Sequence, residues 1–503
     1  MNRHLFGMIG CRVVGRFLAL LSVSVALAGC GGDEPPQGPP DARTLAGIAE
    51  RSLEVSRMEA HADTLLSLIG ARVSALPSGD SAEVWVARQL RALGLERVRM
   101  EPFGLLAWDR REASLQVTAP SAVARTDLNI LSLGHVASYD IEAPLLDAGF
   151  GTAEEIAALG ERVRDRVVMV DVGSPPGYGR GVHRTEKVTL ATEAGAVGFI
   201  QVNNREGPLV PIGVATIGDY ETRIPAVAAD HATGQRLQEA LTRGGDDVTV
   251  RLQVENWMER AEARNVLADI PGRTDEVVLV GAHLDSWDLA EGAVDNGSGT
   301  LATLDVAAAL ADHVRRTGER PWRTIRFAFW MGEELGLYGS RAHLADRLED
   351  GRLDRYVAVL NLDVVGAPVG LGAMGRPEAE PLLVTVRDAL GHAGFDLEPE
   401  VSTGGGLYSD HQPFLLRGIP ILVVRSRQRP EAAGVSHTTA DLRHVLDEPG
   451  MARSAAVSAA LLWAVANDPD PGLPWWGERE IGERLEEMGL RDPLERGGEW
   501  RWE

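Results

Sequence analysis

Two adjacent glutamates, Glu333 and Glu334, follow an apolar run and a glycine. Neighbours at a strand terminus project in different directions, so one can hold a metal ion while the other takes a proton from water. Upstream, the run Val277 to Val280 leads into Gly281-Ala282-His283-Leu284-Asp285. In an extended backbone His283 and Asp285 point to one side. Asp285 is thereby placed to accept the second ring N–H of a metal-bound His283 and to fix its tautomer. Asp295 lies in Glu291-Gly292-Ala293-Val294-Asp295-Asn296-Gly297-Ser298-Gly299, a glycine-rich loop that opens a helix. A carboxylate there can reach two cations, and Gly297 and Gly299 are expected to permit the turn. Asp363 closes Asn361-Leu362-Asp363 after another apolar run, and His437 opens His437-Thr438-Thr439-Ala440-Asp441 beyond the run that ends near Arg425. As ligands this gives His283, His437, Asp295, Glu334 and Asp363, with Glu333 spare and no thiolate. Imidazole with carboxylate suits zinc in a hydrolytic site that keeps positions open for water. Two zinc ions about 3.5–4 Å apart, bridged by one carboxylate, would form a two-metal hydrolytic clamp.

Taken singly, each residue has a plain reading: a hydrogen-bonded histidine, a solvated helix start, a loop cap. What sets them apart is where they stand. The runs Val277 to Val280, Ile325 to Trp330, Val357 to Leu360 and Ile419 to Val424 alternate with helical patterns over Thr300 to Val314 and Ala379 to Leu390. Alternating buried strands and amphipathic helices predict an α/β sandwich with a mostly parallel sheet between helices. Such sheets bind ligands outside the carboxyl ends of their strands, where all of these residues fall. Ahead of this block, Ile48, Leu53, Met58, Leu65, Leu66 and Ile69 share helical faces, and a second helix is predicted from Ser78 or Ser81 as N-cap to a stop near Gly94. A strand over Arg97 to Glu101 follows. From residue 126 to 253 the texture changes to short β-branched runs between glycines and prolines. Strands are expected at Val167 to Val172, Val197 to Val202, Ile224 to Val227 and Val248 to Leu252, with a helix over Val188 to Gly195. The chain is thus divided into a catalytic part, 46–125 and 254–467, a β-rich insert, 126–253, and a C-terminal tail, 468–503.

With 503 residues, 44% hydrophobic and 24% charged, the chain has the composition of a large globular protein. Its net charge of −23 would repel phosphate backbones and argues against nucleic acid as a partner. The first 29 residues carry Arg3, Arg12 and Arg16 before the apolar run from Phe17 to Leu27, the form of an export signal. The run ends in Leu27-Ala28-Gly29-Cys30, which resembles the bacterial lipobox, so Cys30 is expected to become a lipid-bearing N-terminus that holds the protein in the cell envelope. The alternative is an ordinary secretion signal or a short anchor, although the run is shorter than the roughly 20 residues a spanning helix needs. Residues 30–45 then read as a flexible tether. Of the 2 cysteines, Cys11 falls in the leader and Cys30 carries the lipid, leaving no thiol pair for a disulfide. Lys187, the sole lysine, is given no functional weight.

The separated motifs, in this order, resemble the co-catalytic zinc exopeptidases, the family of bacterial leucyl aminopeptidases and glutamate carboxypeptidases. His283-Leu284-Asp285-Ser286-Trp287-Asp288 with Gly292-Ala293-Val294-Asp295 is most similar to its carboxypeptidase Q branch. The resemblance implies a catalytic α/β fold with one zinc on His283 and Asp363, another on Glu334 and His437, Asp295 bridging, Glu333 as general base and Asp285 behind His283. It also implies a cis bond after Asp295. Ala143 to Gly151, Glu193 to Gly198 and Ile224 to Val227 make the insert similar to a protease-associated domain, which either shapes the cleft or is a passive β-rich insert. Ser409 to Phe414 resembles the stretch lining the substrate side. Tyr408 either donates to the oxyanion or merely packs. The implied activity is hydrolysis of terminal peptide bonds, from the carboxyl or the amino end, with a catalytically silent binding protein as the alternative; peptide is the expected substrate. Trp475-Trp476 and Glu478 to Glu503 have no counterpart and read as a solvated helix or a docking tail. Membrane contact is expected only through Cys30, and the oligomeric state is open, a homodimer included.

Overall fold

In a computed structural model, the protein is described over residues 38–217 and 221–502. The export signal, the lipobox, Cys30 and the first half of the tether, 30–37, lie outside the described residues, and its last residues, 42–45, already belong to helix Ala42–Val55. Strands are β1 Glu96–Ala119, β2 Ile130–Ser132, β3 Tyr139–Asp147, β4 Val167–Asp171, β5 Gly198–Val202, β6 Ala226–Ala229, β7 Thr249–Ile270, β8 Val277–His283, β9 Thr324–Trp330, β10 Tyr356–Asn361, β11 Ala367–Ala373 and β12 Ile421–Arg427. They join in the order β11-β12-β10-β8-β9-β7-β3-β4-β5-β6-β2, with β1 paired to β7.

The expected parallel sheet spans β12, β10, β8 and β9, whose neighbours all run the same way. At both sides the pairing turns antiparallel, β11 against β12 and β7 against β9, so the whole sheet is mixed. Every residue of β8 is buried, as a central strand covered on both faces requires. Its side chains alternate. Val278 and Val280 enter one core with Leu301 and Leu462, while Val277 and Leu279 enter a second with Phe414 and Tyr356. The first core is roofed by helices Ala42–Val55, Ser298–Thr317, Glu380–His392 and Glu448–Asn467.

The second core separates the two readings of the C-terminal segment. Trp476, Ile481, Leu485, Leu494 and Trp502 all belong to it, so the segment docks on the sheet's other face and is not a fully solvated helix. Helix Glu478–Glu487 turns Ile481 and Leu485 inward and leaves its charged residues in water. Two smaller readings also shift. The second N-terminal helix runs Pro77–Ala92 with proline in its first turn, where the missing N–H is harmless, and Ser81 bonds back to the Pro77 carbonyl at 2.8 Å instead of capping. In Ala42–Val55 the inward face is Leu45, Ile48, Ala49 and Ser52, which leaves Leu53 exposed.

β1 and β7 pair antiparallel along almost their whole length, from Glu96 opposite Asp269 to Ala119 opposite Thr249. One end of β7 pairs with β9 and the other with β3, so this ribbon carries the sheet from the catalytic part into the insert. Within the insert, β3 to β6 are parallel, with helices Ala153–Leu159 between β3 and β4, Arg184–Glu193 between β4 and β5, and His231–Gly244 after β6, so that helices accompany the expected strands. Among the described residues, no helix is long and apolar enough to cross a membrane.

Candidate metal centre

The carboxyl ends of β8, β9 and β10 lie side by side, and each delivers one part of the predicted site. His283 is the last residue of β8; its carbonyl accepts from Thr300 Oγ1 at 2.8 Å and its ring is buried. Glu333 and Glu334 sit just past β9, and Asp363 two residues past β10. Asp295 follows β8 in a loop whose peptide bond to Asn296 is cis, as the family resemblance implied. Asn296 then binds the Leu362 carbonyl at 2.9 Å and receives the Gly299 N–H at 2.8 Å. Gly299 is needed for space, since a Cβ there would stand 2.0 Å from the Leu362 carbonyl oxygen, and it is Gly292, not Gly297, that takes a positive φ of 55°.

The geometry of these groups is that of two half-sites sharing one carboxylate. His283 Nε2 lies 3.1 Å from Asp295 Oδ1 and 3.4 Å from Asp363 Oδ1. His437 Nε2 lies 3.1 Å from Asp295 Oδ2 and 3.1 Å from Glu334 Oε2. Asp295 therefore presents one oxygen to each histidine. Ligand atoms of His283, Glu333 and Asp363, and again of His283, Asp295 and Glu334, fall within 4.8 Å of one another.

Whether cations fit can be judged from the charge. Glu334 Oε1 and Asp363 Oδ1 are buried without a hydrogen-bond partner. Burial works against charge on His283 and His437. The carboxylates about them, Glu333 and Asp363 for the first and Glu334 and Asp295 for the second, nonetheless raise both well above the usual histidine range. Burial pushes Glu334 up to about 7, with Asp295 adding to it. Such a cluster wants positive charge at its centre, and nitrogen and oxygen donors without sulfur fit a zinc-like ion. The Glu333 carboxyl is also held well above its usual value, first by burial and then by Glu334, Asp410 and Asp363.

Asp285 does more than expected. The His283 Nδ1 is nearer the Asp285 carbonyl, at 3.1 Å, than its carboxylate, at 3.7 Å. That carboxylate accepts from Ser74 Oγ at 3.0 Å and from the backbone N–H of Glu333 and of Glu334, each at 3.3 Å. It thus aims both glutamates.

Several supporting contacts were not anticipated from the sequence. Ser409 donates to Asp363 Oδ2 at 2.5 Å while receiving Asn361 Nδ2 at 2.7 Å. Asp441 accepts the N–H of Val294 at 2.6 Å and of Asp295 at 3.2 Å, which anchors the bridging residue; its position four residues after His437 was the available signal. Arg72, wholly buried, donates to the carbonyls of Leu284, Glu291 and Gly292 at 2.6–2.8 Å and so knits the loop that carries Asp285 and Asp295. Nothing in its sequence neighbourhood marks it.

These groups open into a cleft of about 300 Å³. Its far wall comes from the insert, through His183, Arg184, Val214 and Ile217. Tyr408 and Gln412, from the stretch expected on the substrate side, complete it, whereas Asp410 is buried beneath and His411 bonds the Gly406 carbonyl. Tyr408 stacks on His183 with ring centroids 4.4 Å apart. Leu337, Val364, Tyr408 and His437 all line this cleft with positive φ. Left-handed backbone at such residues costs on the order of 1–3 kcal/mol each and persists only where surrounding structure imposes it. Larger hollows, of about 510, 570 and 320 Å³, lie along the ribbon, beside Arg443 and against helix Arg184–Glu193 of the insert, and none of them is lined by the clustered ligands.

Residues 265–462 match Peptidase family M28, and residues 137–237 match the PA domain. Leucine aminopeptidase 2 of Arthroderma otae is 28% identical over 357 residues, which cover 67% of this chain and 64% of that protein, a little under two thirds of its length. Carboxypeptidase Q of Mus musculus is 25% identical over 441 residues, 86% of this chain and 90% of that protein. Among solved structures, the Peptidase M28 precursor from Shewanella amazonensis SB2B shares the fold with a TM-score of 0.72 and 23% identity, covering 85% of this chain and 97% of the other.

Proposed function

We propose that this chain, which carries a segment of Peptidase family M28 and a PA domain, is a two-zinc exopeptidase hydrolysing terminal peptide bonds of small peptides. The observation that carries the reading is the Asp295 carboxylate, with one oxygen facing His283 and the other facing His437. In this assignment His283 and Asp363 hold one ion, Glu334 and His437 the other, and Asp295 both. Zinc there would supply Lewis acidity and make a water acidic enough to react near neutral pH. Glu333, raised in pKa and without a ligand role, takes the proton from the attacking water. A C–O bond forms at the scissile carbonyl, the C–N bond breaks, and Glu333 passes the proton to the leaving amine.

The motif over His283 to Asp288 and the long match to Carboxypeptidase Q favour attack at the carboxyl end. Aminopeptidase action at the same centre is the second reading, supported by the match to Leucine aminopeptidase 2. Zinc-loaded protein assayed with blocked dipeptides separates them. Hydrolysis that survives an N-block but not a C-block identifies a carboxypeptidase, and the reverse pattern an aminopeptidase. No turnover of any dipeptide with both ions bound would leave a silent binding protein.

We further infer export and acylation at Cys30, with the tether holding the enzyme off a membrane. Cys30→Ser should release it from the membrane fraction, and retention of that variant would refute the anchor.

A further inference from the structure

The two histidines are held by different parts of the molecule. His283 ends a buried central strand and is fixed by the sheet itself. His437 stands in a loop, in left-handed backbone with φ of 60°. Its outward contacts go to the insert. Ile212 N–H donates to the His437 carbonyl at 3.1 Å, and His437 Nδ1 donates back to the Ile212 carbonyl at 3.2 Å. With its proton on Nδ1, the ring presents the Nε2 lone pair toward Asp295 and Glu334, the tautomer a metal ion needs.

The segment making these bonds is itself clamped. Arg184, at the start of helix Arg184–Glu193, donates Nη1 to the Ile212 carbonyl at 3.0 Å and Nε to the Val214 carbonyl at 2.8 Å. Between them Gly213 has φ of 143°, and a Cβ there would meet Arg184 Nη2 at 1.6 Å. A second tie reaches the same loop, from Arg205 Nη1 of the insert to the Ala433 carbonyl at 3.1 Å.

From this we infer that the insert is the positioning partner of His437: the ion site of Glu334 and His437 is assembled only with segment 212–214 docked, and Arg184 fixes that segment. Arg184 is a positioning residue; it acts through the Ile212 carbonyl. Outer partners of a ligating histidine are typically worth 10- to 100-fold in metal affinity. The ion on His283 and Asp363 has no such dependence, so the two ions respond unequally to a change in the insert. The inference rests on the two-zinc reading above.

The test is zinc titration of the full-length protein against a competing chelator, with cobalt absorption as a second readout. Arg184→Met removes the clamp. Gly213→Ala keeps the guanidinium charge but displaces it, and carries the test if Arg184→Met does not fold. The expected result is two tight equivalents in the native protein, and in each variant one unchanged and one weakened about 10- to 100-fold. Both variants should lower the melting temperature of the metal-free protein somewhat, one by unpairing two carbonyls and the other by forcing alanine into backbone that favours glycine, so the difference between the two ions carries the test. Native protein binding two ions, with variants matching it at both, would overturn the inference and leave the two-zinc reading standing. Equal weakening of both ions, or loss in Arg184→Met with native affinity in Gly213→Ala, would overturn it also, by pointing to general destabilisation or to charge. Native protein binding fewer than two ions would sink the two-zinc reading itself, and this inference with it.

Discussion

Glu333 and Glu334 share a peptide bond but face different tasks, and the structure shows what separates them. Glu334 Oε2 lies 3.1 Å from His437 Nε2, whereas Glu333, held by the same Asp285 carboxylate, is less buried and faces His283 and Asp363. Glu333→Gln keeps the shape and removes the proton acceptor. It should lower kcat by a factor of about 100 or more, the scale of a lost general base, while both zinc equivalents remain in metal analysis. Zinc lost in step with activity would instead make Glu333 a ligand. At this scale the sequence was informative wherever a residue's chemistry and its place after a strand coincided, as with His283, Glu333, Glu334 and Asp363. It was silent on Arg72 and Ser74, and gave Ser409 a place on the substrate side but not its bond to Asp363, because such contacts join segments far apart in the chain, several through backbone carbonyls that carry no residue identity. Ile212 is the extreme case: an apolar residue serves a histidine through its main chain alone.

At the scale of elements, apolar runs located β8, β9, β10 and β12 and helices Ser298–Thr317 and Glu380–His392, but not β11, not helices Tyr338–Glu349 and Glu448–Asn467, and not the joints between elements. From about Ala46 to Ile69 the apolar spacing reads as helix, yet the chain breaks after Val55, where Ser56 Oγ and the Arg57 N–H both donate to Asp305 of helix Ser298–Thr317. Burial of that carboxyl raises it to about 6. The unfolded chain ionises near 3.8, the folded one only near 6, so between these values the folded state binds more protons and stability falls as pH rises. The loss is on the order of 3 kcal/mol, complete above about pH 6. Asp305→Asn preserves an acceptor for Arg57 and a partner for Ser56 without the charge. Denaturant unfolding of the two proteins from pH 4 to pH 7 should show the native protein losing ground to the variant across that window. Parallel curves would mean the carboxyl is solvated in the folded state. The C-terminal helix was left open between solvated and docked for a related reason: its polar majority suggested water, while two well-spaced apolar residues, Ile481 and Leu485, were enough to seat it.

Across the whole molecule, the last residues tie the insert to the catalytic part around the mouth of the cleft. Asp492 pairs with Arg180 at 2.7 Å and Arg496 with Glu186 at 3.3 Å, both on the insert. Glu499 receives Arg341 Nη1 at 2.9 Å and Gln412 Nε2 at 2.8 Å on the catalytic side. Gln412 in turn accepts the Tyr408 N–H at 2.7 Å, and Tyr408 stacks on His183 of the insert. The Arg341–Glu499 pair is partly exposed, and pairs of that kind contribute about 0.2–1 kcal/mol, too little to matter for folding. Its effect lies in holding Gln412, and through it Tyr408, in the wall that substrate meets. Leu494 and Trp502, by contrast, are buried against the sheet, so the same segment also stabilises. Two variants separate these roles. Deleting residues 491–503 should lower the unfolding midpoint by several degrees, since it uncovers apolar surface worth roughly 2 kcal/mol or more per large side chain. Glu499→Ala should leave the midpoint nearly unchanged yet raise KM for a dipeptide while kcat stays close to native, because the metal ligands and Glu333 are untouched. Unaltered KM in Glu499→Ala would reduce the segment to a cover for the sheet, and a large fall in kcat would mean that the wall it supports reaches the reacting carbonyl itself.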